Sequence, residues 1–177
     1  MSRRVTWVLL CEDEQHYAFA RRFLKLMTRP EMRECRKVLG PGHSGVSKRL
    51  AEEIRVIRAQ GARAGLLVIL DADGHSSEER RRDALRRCTE EERPRSSDPV
   101  AILLPARNIE TWIAWLEGQS VDSVTKYPKL ERERDCQAAV ERLKGHCDSG
   151  LALPAGCPPS LIEACTEFRR VLGLLRA

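Results

Sequence analysis

The sequence is poor in aromatic residues and has no long apolar run. Phenylalanine, tryptophan and tyrosine make up 5% of its 177 residues, which argues against binding nucleic acid by stacking bases on aromatic side chains. No stretch is long enough to cross a bilayer, and the first apolar run passes directly into charged residues, unlike a signal peptide. We therefore expect a cytoplasmic protein with no membrane partner.

The seven cysteines are odd in number and form no C-x-x-C pair. A disulfide framework or a structural zinc site ordinarily requires paired or closely spaced cysteines. The spacing therefore argues against both and favours reduced thiols, with Cys11 buried in an apolar run. A chain of this length can bury roughly 70% of its unfolded surface, so it needs no cross-links to fold.

What the sequence does contain is an alternation of strand-like and helix-like segments. Four short apolar segments, VTWVLL (residues 5–10), ECRKVLG, GLLVIL (residues 65–70) and DPVAILLP, are separated by segments with helical periodicity. Such alternation predicts βαβ units with right-handed crossovers. We expect an α/β, Rossmann-like core over residues 1–118, with a mostly parallel sheet of about four strands flanked by helices. Residues 119–177 should form a helical C-terminal extension packed on that core, giving one compact domain overall.

Local signals place the ends of several helices. Gly61 is typical of a residue that ends a helix, here one expected to begin at about Val46, after the turn-rich GPGHSG. Ser76 and Glu79 have capping-box spacing at the start of a second, well-solvated helix over SSEERRRDALRRCTEEER. Asn108 is a candidate N-cap for a third helix.

Acidic residues follow three of the predicted strands. Glu12 follows the first strand, Asp71 and Asp73 follow the third, and Glu110 lies in the first turn of the helix after the fourth. The carboxyl ends of parallel strands form one edge of the sheet, where binding sites lie. Carboxylates gathered there repel one another unless a cation neutralises them or they share protons. Two aspartates at i and i+2 of an extended segment would face the same side, so both would face one ion.

The predicted cofactor is Mg²⁺ or Mn²⁺, because carboxylate oxygens are ligands that these hard cations prefer. Each acid also has a structural interpretation. Asp71 and Asp73 are typical of a turn before glycine, and Glu110 suits the positive end of a helix dipole. The acidic run over residues 12–14 is expected to include at least one residue of ordinary solvated surface.

Several basic residues are candidates for contacts with phosphate. The net charge is +5, an excess that is compatible with a nucleic-acid partner but does not require one. Lys48 and Arg49 follow the GPGHSG loop, whose amides would approach a phosphate, and Arg107 precedes the helix after the fourth strand. The alternative for Lys48 and Arg49 is a solvated helix face, and the same interpretation is favoured for the basic run over residues 80–87. Of the four histidines, only His75 is expected near the site.

A glutamate after the first strand and a D-x-D after a later one resemble the TOPRIM domain of topoisomerases, bacterial primases, 5S-rRNA maturation nucleases and overcoming-lysogenization-defect nucleases. Glu12 matches the glutamate, Asp71 and Asp73 match the aspartates, and the resemblance covers about the first 120 residues. The segments LLPARNIETWIAWLEG and CPPSLIEACTEFRRVL look like small stand-alone TOPRIM-like proteins encoded beside ATPases in phage-defence loci. Asp13 stands where many members have glycine, so Glu12 and Glu14 are both candidates for the functional acid.

The resemblance implies a Mg²⁺-dependent nuclease that cleaves or nicks nucleic acid, DNA in preference to RNA, as the effector subunit of an ATPase-containing anti-phage complex. It implies that Glu12 acts as general base or metal ligand and that Asp71 and Asp73 bind the metal. Glu110 becomes a further metal ligand or a support for the site's geometry. A separate ATPase partner is expected because the chain itself has no G-x-x-x-x-G-K motif.

Three alternatives remain open. VLLCEDE resembles the first strand and acidic pair of a response-regulator receiver domain, in which Asp71 would accept a phosphoryl group and Lys126 would be the late lysine. The long stretch before Asp71 and the second aspartate argue against this alternative. DADGHS resembles the D-x-D-G-T of haloacid-dehalogenase phosphatases, but that motif should follow the first strand and here it follows the third. The last alternative is a TOPRIM-like binding subunit without hydrolysis.

Overall fold

Four parallel strands form the centre of the computed structural model, which describes residues 5–28, 32–149 and 154–177. The strands are β1 (Val5–Cys11), β2 (Met32–Leu39), β3 (Ala64–Ile69) and β4 (Val100–Leu103). Their order is β2-β1-β3-β4, and every neighbouring pair is parallel. The chain therefore leaves β1 toward one edge and returns to its other side, which creates a switch point between the carboxyl ends of β1 and β3. The predicted α/β fold class is confirmed.

Six helices accompany the sheet in the described part of the chain. They are α1 (Glu14–Met27), α2 (Gly42–Gln60), α3 (Ser77–Ala84), α4 (Ile109–Leu116), α5 (Gln137–Ser149) and α6 (Pro159–Arg176), and a 3₁₀ turn (Glu133–Cys136) precedes α5. None of these helices combines the length and the apolar character needed to cross a membrane.

The helices cover both faces of the sheet, so the central strands are buried on both sides. Alternate residues of β1 enter two separate apolar clusters, with Trp7 on one face and Val8 on the other. Helices α1, α4, α5 and α6 contribute to the first cluster, in which Phe168 of α6 lies 4.7 Å from Phe23 of α1 between ring centroids. The second cluster is formed mainly by α2 on the opposite face. Near-continuous apolar runs such as β3 follow from burial on two faces.

The first turn of α2 differs from the sequence expectation. The segment expected to be a flexible loop before about Val46 is helical from Gly42. The helix can begin this early because Gly40 and Gly45 have no side chains. A Cβ atom on Gly40 would lie 2.5 Å from the Gly45 carbonyl carbon. Two glycines thus let the end of β2 pack directly on the helix. The predicted end at Gly61 is confirmed, with φ of 59°.

The helix predicted from Ser76 is also confirmed at its start and is shorter than expected. Ser76 and Glu79 form the capping box. The helix ends at Ala84 instead of continuing through the following charged segment. Only two of its residues, Arg80 and Ala84, are buried, so little packing supports a longer helix.

One pair of cysteines contradicts the expectation of reduced thiols. Cys147 of α5 and Cys165 of α6 form a disulfide, with 5.3 Å between their Cα atoms. Packing of the two helices brings together positions that are 18 residues apart, and cysteine spacing alone gives no sign of this. Cys11, by contrast, is a buried free thiol as predicted.

Candidate functional site

The ends of β1 and β3 bring two of the predicted acids together. Glu12 follows β1, and Asp71 lies two residues after the end of β3. The backbone N–H of Asp71 donates a hydrogen bond of 3.0 Å to Glu12 Oε2. The side chains are 11% and 17% exposed, respectively. The two carboxyl groups therefore lie at the switch point, largely shielded from water.

His16 lies between two carboxylates in the first turns of α1. Asp13 is the N-cap of this helix and accepts a hydrogen bond from the His16 backbone N–H at 3.0 Å. The ring Nδ1 of His16 is 2.7 Å from Asp13 Oδ1, and Nε2 is 2.8 Å from Asp71 Oδ1. A ring with a carboxylate at each nitrogen is an imidazolium that donates twice. Glu12, Asp13, His16 and Asp71 are called the acid–histidine cluster below.

The electrostatics of the cluster follow from these contacts. Burial by itself would lower the pKa of His16, but its hydrogen bonds to Asp13 and Asp71 outweigh burial and raise that pKa to about 10. Burial would raise the pKa of Asp13, yet hydrogen bonds from His16 and Lys129 hold it well below its usual range. For Glu12, burial dominates and raises the pKa. The cluster thus combines a protonated histidine with a carboxyl group that binds protons more readily than usual.

Asp73 points to a different set of partners. Its φ is 51°, so the backbone turns at this residue, and the expectation that both aspartates lie on one side of an extended segment is wrong. Asp73 Oδ2 accepts from Arg80 Nη2 at 3.0 Å, and the Asp73 carbonyl oxygen accepts from Arg107 Nη1 at 2.8 Å. Arg80 Nε also donates to the carbonyl oxygen of Asp71. We call Asp73, Arg80 and Arg107 the arginine clamp.

Arg80 connects the clamp to the cluster. Its residue is 5% exposed, and its Nη2 lies 3.6 Å from Glu12 Oε1 as well as within hydrogen-bond distance of Asp73. A guanidinium therefore occupies the space between Glu12 and Asp73. The structure brings Glu12 and Asp71 together but separates Asp73 from both.

Glu110 and Lys129 complete the surroundings of the cluster. Glu110 lies in the first turn of α4, is 3% exposed, and its Oε1 has no hydrogen-bond partner in the described part of the chain. Burial, and then the negative charge of Asp71, raise the pKa of Glu110. Lys129, from the segment between α4 and α5, donates to Asp13 Oδ2 at 2.5 Å.

Other residues predicted for the site lie outside the cluster. Lys48 and Arg49 are exposed on α2 and make no hydrogen bond or ion pair within the described ranges. Glu14 is exposed and pairs with Lys37, so Glu12 is the acid that belongs to the site. His75 is exposed.

The sequence interpretation missed two residues, His16 and Arg80. From the sequence, only His75 is expected near the site, although His16 lies three residues after Asp13, one turn along a helix. A solvated helix face is favoured for the basic run over residues 80–87, although Arg80 lies four residues before the buried Ala84 and shares its inward face. In both cases helical spacing was the available signal.

Three side chains of the cluster could supply ligand atoms to a divalent cation. One potential ligand atom each from Glu12, His16 and Asp71 lie within 4.8 Å of one another. Carboxylate oxygens and an imidazole nitrogen are common ligands for such ions. Five carboxylates and four cationic side chains meet in this region, so one negative charge remains when all are ionised. The carboxylates are Glu12, Asp13, Asp71, Asp73 and Glu110, and the cations are His16, Arg80, Arg107 and Lys129. Glu110 Oε1 is in addition a buried oxygen without a hydrogen-bond donor.

Comparisons of the chain with protein-family models, with curated proteins and with solved structures give no match.

Proposed function

We propose that this protein is a metal-dependent nuclease of the TOPRIM type that cleaves or nicks nucleic acid, DNA in preference to RNA. The observation that carries the proposal is the meeting of Glu12, His16 and Asp71 at the switch point of the sheet, with potential ligand atoms within 4.8 Å. One negative charge around them is uncompensated, and loss of the His16 proton would make it two, the charge that a divalent cation neutralises. The match of Glu12 and Asp71 to the TOPRIM pattern supports the same function.

Mg²⁺ or Mn²⁺ is the proposed cofactor. Glu12 and Asp71 would hold it through carboxylate oxygens, and His16 Nε2 would be a third donor after losing its proton. Mg²⁺ prefers oxygen ligands, whereas first-row transition ions also accept imidazole nitrogen, so we expect Mn²⁺ to bind more tightly. When bound, the ion would polarise a phosphodiester oxygen and stabilise charge that develops in the transition state.

The chain's own residues would position the reacting groups and move the proton. Glu12 Oε2 accepts a hydrogen bond from the Asp71 amide, which leaves Oε1 either to hold the metal or to take a proton from an attacking water. The raised pKa of Glu12 favours this task because it brings the carboxyl closer to the working pH. His16 holds Asp71 in place, and Lys129 holds Asp13. Preorganisation of this kind lowers the reorganisation needed in the reaction.

The remaining predicted residues have supporting roles in this proposal. Asp73 holds Arg80 and, through its backbone, Arg107. Arg107 lies at the rim of the site, where its positive charge suits contact with a scissile phosphate. Glu110 contributes a buried carboxylate next to Asp71 that supports the metal or the geometry of its ligands.

The resemblance to stand-alone TOPRIM-like proteins extends the proposal to a cellular role. We propose a cytoplasmic effector subunit of an anti-phage complex, whose ATPase partner is a separate chain. The absence of a G-x-x-x-x-G-K motif from the sequence is consistent with such a division of labour.

The proposal is tested with supercoiled plasmid and Mg²⁺, Mn²⁺ or EDTA, with and without the neighbouring ATPase. We expect metal-dependent nicking, and we expect Mn²⁺ to raise the melting temperature because it binds only the folded protein. Glu12→Gln should abolish both effects. Glu163→Gln is the matched control, because Glu163 is an exposed acid on α6 outside the site. Cleavage by Glu12→Gln at the wild-type rate would exclude the proposed site.

The strand order favours one second candidate, a receiver-like phosphoacceptor. The order β2-β1-β3-β4 is shared with the flavodoxin-like sheets of receiver domains, in which a site lies at the β1/β3 switch point. Asp71 would then be the acceptor. Acetyl phosphate with Mg²⁺ should add one phosphoryl mass to the wild type and none to Asp71→Asn. Metal-dependent stabilisation without either cleavage or phosphorylation would leave the non-catalytic binding subunit.

A further inference from the structure

The outer face of α1 carries basic residues that form no ion pairs with the residues that the structure describes. Arg21 and Lys25 are exposed, and neither makes an ion pair or hydrogen bond within the part of the chain that the structure describes. Arg22, between them in sequence, donates to the carbonyl oxygen of Ala18 at 3.2 Å and makes no ion pair with the residues that the structure describes. Lys144 on α5 differs, since it pairs with an acid one turn along its helix. The charge on α1 is therefore available to a ligand.

These basic residues line two depressions that adjoin each other. Arg21, Arg22 and Lys25 face a cavity of about 320 Å³ between α1 and the start of α5. A second cavity, of about 350 Å³, shares Arg21 and Arg22 and extends to Glu14 in the first turn of α1. We call the combined depression, from Glu14 to Lys25, the α1 trough.

The opposite wall of the α1 trough adds another base. Arg134, from the 3₁₀ turn before α5, lines it and is exposed. Two acids also line the trough, Glu14 and Glu133, and Lys37 neutralises the first of them. Basic residues therefore outnumber acidic residues along the α1 trough, and they lie on both of its walls.

The α1 trough begins beside the acid–histidine cluster. Glu14 is two residues from Glu12 and directly follows Asp13, the N-cap of α1. From Glu14 to Lys25 the helix rises about 16 Å, at about 1.5 Å per residue. That length accommodates a few nucleotides of one strand. A strand lying in the trough would thus have one end at the proposed site.

We propose that the α1 trough binds the phosphodiester backbone of a single nucleic-acid strand that continues into the acid–histidine cluster. This rests on the proposed function for its substrate class and adds where the strand lies. Basic side chains at helical spacing contact phosphates and do not contact the nucleobases. Binding should therefore be independent of nucleotide sequence and depend on salt concentration.

The test is binding of a fluorescently labelled twelve-nucleotide single strand, measured by anisotropy in EDTA over a series of salt concentrations. Arg21→Gln/Lys25→Gln should weaken binding roughly tenfold and reduce the salt slope by about 1.4, because each lost phosphate contact removes about 0.7 from it. Glu133→Gln should strengthen binding, since it removes an acid from the same lining. Arg63→Gln/Arg169→Gln is the matched control, with the same charge change at two exposed bases outside the trough. We expect it to match the wild type.

Equal weakening by the control pair, or no binding by the wild type, would overturn the proposal. A polyglutamate peptide of the same charge should compete poorly; equal competition would point to an acidic protein instead and also overturn it. The proposed function is judged separately, from plasmid nicking. Nicking by wild type with no effect of the trough variants on strand binding refutes the trough alone. Strand binding through the trough without nicking refutes the nuclease alone.

Discussion

The acid–histidine cluster and the arginine clamp are adjacent, yet they stabilise the end of β3 in different ways. In the cluster, the histidine ring joins two side chains: His16 bridges Asp13 and Asp71 at 2.7 and 2.8 Å. In the clamp, both arginines bind backbone oxygens, since Arg80 and Arg107 donate to the carbonyl oxygens of Asp71 and Asp73. The contacts of the cluster hold potential metal-ligand atoms in place. The contacts of the clamp hold the backbone of the loop after β3, which carries Asp71.

The difference assigns separate tasks to two aspartates that look equivalent in sequence. Asp71 is 17% exposed and faces His16, whereas the Asp73 side chain is 53% exposed and faces Arg80. A D-x-D pattern presents both as metal ligands. The turn at Asp73, with its positive φ, gives the second carboxylate a mainly structural partner.

The largest expected effect is that of substitutions at the two aspartates on the proposed nicking activity. Asp71→Asn should lower metal-dependent nicking by on the order of a thousandfold, because it removes a carboxylate that positions transition-state charge. Asp73→Asn should lower it tenfold or less, because the amide oxygen still accepts from Arg80. Plasmid nicking rates at saturating Mn²⁺ measure both. Equal losses in the two variants would remove the distinction between cluster and clamp.

The next largest effect is on stability at His16. Replacing His16 with Gln removes a buried cation between two carboxylates, so we expect the free energy of unfolding to fall by about 3–5 kcal/mol. His75→Gln is the control, because His75 is exposed and should change stability by less than about 0.5 kcal/mol. Urea denaturation at pH 6 gives both values. A His16 variant as stable as the control would show that the carboxylates of the cluster do not need the His16 imidazolium for stability.

Much of the fold could be predicted from the sequence, because each strand is a local apolar run bounded by turns. The strand VTWVLL and the helix end at Gly61 need no distant information. The cluster depends on distant information, because Glu12 and Asp71 meet only if β3 lies beside β1. The alternation of strands and helices predicts parallel strands, but it does not give this strand order.

The parts that could not be predicted depend on side-chain direction or on distant packing. The direction of the Asp73 carboxylate is set by a single positive φ, which a non-glycine residue rarely adopts. The burial of Arg80 depends on how a short helix lies against the strand ends. The Cys147–Cys165 bridge depends on the packing of α5 against α6, far from the site along the chain.

The Cys147–Cys165 disulfide differs from the cluster, whose contacts are all non-covalent. A disulfide that closes a loop of 18 residues stabilises a domain by about 3 kcal/mol in the chain-entropy model. We therefore expect reduction, or Cys147→Ala/Cys165→Ala, to lower the free energy of unfolding by about that amount. Denaturation with and without dithiothreitol measures it, and Cys35→Ala, at a partly exposed free thiol, is the control. A double variant that responds to dithiothreitol as the wild type does would contradict the prediction.

The smallest effect sharpens the comparison through pH, because the cluster contains a histidine whose pKa changes on folding and the clamp does not. The pKa of His16 rises from an ordinary 6.5 to about 10 in the folded protein. Its stabilising contribution is therefore complete below pH 6.5 and is lost as the pH rises toward 10, since the unfolded chain releases the proton first. Between pH 6.5 and 8.5 the free energy of unfolding should fall by about 2 kcal/mol. That window stays below the ordinary cysteine pKa of 9.0, which limits interference from thiols.

Urea denaturation across this window, in EDTA, checks the slope. Asp73→Asn should keep it, because the clamp holds Arg80 and Arg107, which stay charged throughout. His16→Gln should flatten it, because the variant has no titrating ring between the carboxylates. A slope that survives in His16→Gln would assign the pH dependence to another group and would leave the imidazolium bridge unsupported. A slope lost in the histidine variant and kept in the aspartate variant would locate the protonated bridge in the cluster, independently of any assay for cleavage.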